Sequence, residues 1–174
     1  MKNFTIQIAL MCLIATKPVA SFAQTETYSS PNKVEVKIEI RTLNATEQAT
    51  LDQGLALAKH LTNTSQPLNA SQVQILYDVL LKSKHYDESH MIALGLAFGN
   101  LIVEKSDMEW VRISDEYGEE TGLSPQEYQI FIAPISIIQK RIDRHETLSI
   151  ATLRDDTIKL INEQIATGEL SKRK

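Results

Sequence analysis

The side chains best equipped for chemistry in this sequence are carboxylates. Asp107, Glu109, Asp115, Glu116, Glu119 and Glu120 fall close together. Such a run offers oxygen ligands for a hard cation, but it lacks the one-three-five spacing and the closing bidentate Glu of a calcium loop. A pair of these carboxylates would serve as acid and base in glycan hydrolysis only if one sat in an apolar pocket that raised its pKa. The simpler expectation is a solvated hairpin tip. Arg141 is expected to reach back to Asp115 or Glu116 as a salt bridge, the sharper alternative being a site for an anion or a peptide carboxylate. Trp110, the single tryptophan, is expected to plug the core beside a glycine-bearing helix rather than to form a ligand platform. Trp110, Asp115, Glu116 and Arg141 are therefore the candidate binding residues.

Other chemistries lack their residues. The histidines stand at 60, 85, 90 and 145. His85 and His90 are five apart, about 140° around a helix from each other, whereas a zincin pair needs a separation of four on one face. There is no Gly-x-Ser-x-Gly, no Ser-x-x-Lys with suitable partners and no phosphate-cradling glycine loop. No catalytic residue, metal site or cofactor is expected. The net charge is −4, and a surface of that sign repels nucleic acid and anionic lipid.

The elements that must position these residues read as an α+β domain, about five helices packed with a small antiparallel sheet. Val34, Val36, Ile38 and Ile40 alternate with charged residues, which predicts a half-buried strand over 33–41. Asn44 or Thr46 is placed to cap a helix running to Leu61. Thr62–Asn69 reads as a loop, Ala70–Lys84 as a helix, and His85–Asp87 as a break. A third helix over 88–105 carries Met91, Leu94, Phe98, Leu101 and Ile102 on a broad apolar face, with Gly95 and Gly99 inside it. Each glycine costs about 1 kcal/mol relative to Ala in a helix interior, so close packing of another element must offset them. A hairpin is expected near 109–132, from Glu109–Ser114 through a long acidic connection containing Gly118 to Tyr128–Ile132. Pro134 suits the first turn of a fourth helix, and a fifth over 149–165 is closed by Gly168. Asn44, Asn63 and Asn69 each begin a glycosylation sequon, but helix capping explains them more simply.

Lys2 followed by an uncharged apolar run of about a dozen residues has the form of an export signal. Ser21-Phe22-Ala23 supplies small residues for cleavage after Ala23, and Pro18 stops the helix before that site. The run is too short to span a bilayer. Cys12 lies in mid-run after Met11, not at a lipidation site. The expected organisation is a signal peptide over 1–23 handled by the Sec machinery, a polar lead over 24–32, a single domain over 33–168 and a basic tail over 169–174. Cleavage leaves 151 residues with a net charge of −6 and no cysteine, hence no disulfide, no thiolate and no membrane span.

The glycine-marked helix, the Glu109-Trp110-Val111 strand, the Asp115-Glu116-Tyr117-Gly118 turn and the segment Ala133-Pro134 through Arg141-Ile142 form an ordered series. This series resembles the DUF3806 family, small bacterial domains without an assigned function, over about residues 88–160. By that resemblance Leu94, Gly95, Gly99, Trp110, Asp115, Gly118, Pro134, Lys140 and Arg141 match recurrent family positions, and no mechanism is implied. Whether the 33–41 strand belongs to the same domain is left open by it. The leading expectation is an exported, non-enzymatic binding or accessory protein of the bacterial envelope with a protein or envelope partner. The alternatives are an envelope glycan hydrolase using the acidic residues of the 115–120 turn and an immunity-like inhibitor of a secreted toxin.

Overall fold

The computed structural model describes residues 38–83, 86–116, 118–168, 170 and 172. The expected signal peptide and cleavage site, the expected polar lead, the first residues of the predicted 33–41 strand and His85 lie outside the described residues. The elements run β1 (Glu39–Thr42), α1 (Ala45–Leu61), α2 (Ala70–Lys82), α3 (Glu88–Val103), β2 (Met108–Asp115), β3 (Gly118–Pro125), α4 (Pro134–Asp143) and α5 (Ile150–Ala166). This is the α+β class expected, with five helices and one antiparallel sheet in the order β1-β2-β3.

The helix ends follow from their sequences. Asn44 and Asn69 each accept from the backbone N–H three residues on, at 2.9 and 3.1 Å, while Glu47 and Gln72 reach back to the cap N–H. Two donors are satisfied reciprocally at each end, an arrangement of about 1 kcal/mol per cap. Asn63 works at the opposite end of α1. It adopts φ 52°, and the bonds Asn63 N to His60 O and Thr64 N to Lys59 O close the last turn. Asn44, Asn63 and Asn69 thus each serve a helix terminus. Gly168, at φ 69° just beyond α5, ends that helix as expected.

α3 is the centre of the molecule. Met91, Ala93 to Gly99, Leu101 and Ile102 are all buried, so this helix is enclosed on nearly every side by α1, α2, α4, α5 and the sheet. Its glycines explain how closely. A Cβ at Gly95 would stand 2.5 Å from the Ile135 Cα, and one at Gly99 would collide with the Trp110 ring and meet Pro134 Cγ at 3.0 Å. α4 and β2 therefore approach the α3 backbone where side chains are missing, the close packing that the two glycines called for. Trp110 is half-buried in that contact, with its Nε1–H directed at Asn100 Oδ1 at 3.5 Å.

The hairpin departs from the sequence expectation. β3 is Gly118–Pro125, joined to β2 by a tight turn with Asp115 opposite Gly118, rather than the apolar run 128–132 reached through a long connection. Gly118 sits at φ 138°, a region open to glycine. The 128–132 run contributes isolated bridges, Ile132 to Leu123 and Tyr128 to Lys172, with the buried Ser124 hydroxyl donating to Ile130 O at 2.7 Å. β1 pairs antiparallel with β2, Glu39 opposite Ser114, so the N-terminal strand belongs to the same sheet.

Candidate functional site

A groove of about 530 Å³ opens where the distal half of the hairpin stands beside the first turns of α3 and α4. Met91 and Ile92 from α3 and Ile135 from α4 give it an apolar floor; Met91 is buried and Ile92 is 38% exposed. Its polar lining comes from Tyr86 and Glu88 at the start of α3, Arg112 on β2, Glu119, Glu120 and Thr121 on β3, and Ser136 and Gln139 on α4. A second depression of about 560 Å³, lined by Lys105 and by Asp155, Lys159, Asn162 and Glu163 on one face of α5, is more open.

Strand geometry fixes the charges of the groove. Arg112 and Thr121 are cross-strand partners, and Glu119 is two residues away on the same face. The Arg112 guanidinium donates to Glu119 Oε2 at 3.1 and 3.2 Å and to Thr121 Oγ1 at 3.3 Å. It also lies 3.7 Å from Glu47, which in turn forms two 2.7 Å bonds with Arg41. The arginine is thus balanced by carboxylates on two sides. Glu120 projects from the opposite face of β3, opposite Ile113, and stands exposed at the rim. Protein flanking it pushes its carboxyl above the usual range, with the Asp115 charge adding to the effect. Lys140, the Ser136 hydroxyl and Arg112 act in the other direction. Tyr86 hydrogen-bonds Asp143 at 3.2 Å and ties the approach to α3 onto α4.

The residues singled out from sequence fall in different places. Asp115 closes the hairpin and acts on Glu120 through its charge, and Glu116 is exposed in the turn. Trp110 packs on Gly99. No ion pair among the described residues joins Arg141 to Asp115 or Glu116, contrary to the expected salt bridge; Arg141 donates to Ile137 O at 2.9 Å, and its charge acts on Tyr77. The reason is helical phase. Lys140 is the residue of α4 whose charge reaches Glu120, and its neighbour is turned about 100° away. Glu119 and Glu120 belong to the acidic run picked out from sequence, but Arg112 and the polar groove residues Tyr86, Glu88, Thr121, Ser136 and Gln139 were missed. Arg112 alternates within a β-like run, a signal for its exposure to one sheet face, but only the true register shows that Glu119 and Thr121 share that face.

No group of three or more His, Cys, Asp or Glu side chains suited to a metal occurs among the described residues. His60 and His90 stand on separate helices, and His145 lies just past α4 at φ 53°. No described helix is long and apolar enough to cross a membrane.

Fold and groove together define a small α+β domain in which a buried central helix carries an antiparallel sheet and presents a mixed polar and apolar groove. Residues 72–153 match the family model of DUF3806, a domain of unknown function, in agreement with the resemblance of its motifs. The match starts in α2, earlier than the motifs alone indicated, and ends in the first turn of α5. No curated protein matches the sequence. A crystal structure of a protein from Bacteroides thetaiotaomicron VPI-5482 shares the fold, with a TM-score of 0.57 and 16% sequence identity over 70% of this chain. This chain covers 47% of that one, about half its length.

Proposed function

We propose that this protein is an exported, non-enzymatic binding domain of the bacterial envelope, and that the groove between the hairpin and helices α3 and α4 is its binding site. The observation that carries the reading is the groove itself: an apolar floor ringed by polar and charged groups that can hold a ligand. Export is supported by the Lys2 start, the short uncharged run and the Ser21-Phe22-Ala23 site, which would pass the chain to the Sec machinery and release it into the periplasm or beyond.

The arrangement of the acids favours binding over glycan hydrolysis. Acid and base in such a reaction must flank one bond, whereas alternation along β3 sends Glu119 and Glu120 to opposite faces. Glu119 is further committed to Arg112. The test is affinity capture from the periplasm with the mature chain and with its Ile92→Glu variant, which places a charge on the groove floor. A partner retained by the mature chain and lost by the variant is expected. A partner held equally by both, or a turnover abolished by replacing a single carboxylate, would defeat the proposal.

A further inference from the structure

The charges lining the groove are unequal. Three lining carboxylates, Glu88, Glu119 and Glu120, outnumber one lining guanidinium, Arg112, which Glu119 and Glu47 flank on the sheet face opposite to Glu120. An anionic ligand would therefore have to displace an existing ion pair to reach its counter-charge, while a cation meets a lining richer in carboxylates than in guanidinium, with Lys140 beside Glu120 as its competitor. The floor adds a second requirement, because Ile92 and Ile135 offer aliphatic surface beside those acids. A group that satisfies both is a primary ammonium on a flexible hydrocarbon stem. The chain's own described basic tail residue is engaged elsewhere: Lys172 lies 3.4 Å from Glu127 and bridges to Tyr128.

We infer that the groove takes a lysine side chain presented by a peptide or protein partner, its stem lying on Ile92 and Ile135 and its ammonium held at the Glu120 rim. This rests on the groove being the binding site proposed above. The Ser136 hydroxyl on α4 lies near the Glu120 carboxyl and favours its ionised form. Asp115 from β2 adds negative charge at the same rim, while Lys140 from α4 and Arg112 from β2 are the cations that a bound ammonium must outcompete. An ionised Glu120 is needed to hold the ammonium. Since the protein flanking it and the Asp115 charge raise its titration, binding should strengthen as pH climbs through that transition and should release a proton when carried out below it.

The experiment is backbone-amide NMR titration of the mature chain with acetyl-Gly-Lys-Gly-amide, beside the same peptide carrying norleucine or glutamate in place of lysine. The lysine peptide is expected to shift the amides of Ile92, Glu120, Ile135 and Ser136, and the other two are expected to bind at least about tenfold more weakly. Glu120→Gln should lose about the same factor without a change in Tm, because the residue is exposed and outside the core. Equal shifts from the norleucine peptide would overturn the inference and leave the groove standing as an apolar binding site. Stronger binding of the glutamate peptide would overturn it in favour of an anion site. Lysine binding that leaves the groove amides unmoved would overturn the inference and the groove assignment together.

Discussion

Glu47 illustrates how much one side chain can hold. It completes the capping box of α1, receives both guanidinium bonds of Arg41 and stands near Arg112. The Arg41 bonds first, and the Asn44 N–H next, hold its carboxyl down to about 2. Its ordinary value is 4.5, so the ionised form favours the folded state. That contribution is complete above the unfolded value and disappears as pH falls from 4.5 towards 2. Urea midpoints of the parent and Glu47→Gln should therefore differ at neutral pH and converge near pH 2, and parallel curves over that range would contradict it. His145 shows the opposite economy. It occupies the left-handed position after α4, where the bonds His145 N to Ile142 O and Glu146 N to Arg141 O close the helix. His145→Gly should raise stability by about 1 kcal/mol, read as a higher Tm. Asn44 and Asn69 were legible as caps because a Glu or Gln follows three residues later. The His145 terminus was not, since no glycine marks it and only the backbone angle reveals it.

Among the elements, the packing of α3 was legible and the return strand was not. Two glycines inside an apolar helix announce that a backbone comes close, and Ile135 and Trp110 are what comes. Replacing Gly95 by Ala offers about 1 kcal/mol of helix propensity, but the added methyl meets the α4 backbone, which has no rotamer with which to retreat. Overpacking of this kind costs about 1–3 kcal/mol, so Gly95→Ala should be destabilising on balance in chemical denaturation. Gly99→Ala should cost less where the Trp110 ring can turn aside. The hairpin misled because Tyr128–Ile132 has the stronger β composition, whereas Gly118–Pro125 is rich in residues that strands disfavour. Pairing decides instead: the short turn at Asp115–Gly118 brings the second segment to β2 first, and full register follows from it. The groove was hidden for the same reason, since its arginine and acids converge only in that register.

For the whole molecule, class and helix number could be read from periodicity, because each helix carries a continuous apolar stripe. The extent of the cooperative unit was harder to see. The DUF3806 match begins at residue 72, yet β1 completes the sheet, Ala58 of α1 joins the main core, and Gly54 makes room for Leu96. The folding unit is therefore larger than the matched stretch. The stretch of α3 from Ala93 to Gly99, buried throughout, also has no private route to solvent. Deuterium reaches its peptide groups only when the layers around it part, which means when everything unfolds. The amides from Leu94 to Leu101 should accordingly be the slowest to exchange, with the same denaturant sensitivity as global unfolding, while those of the β1 edge should exchange through small local openings. In that sense α3 is the molecule's built-in gauge of its own total stability.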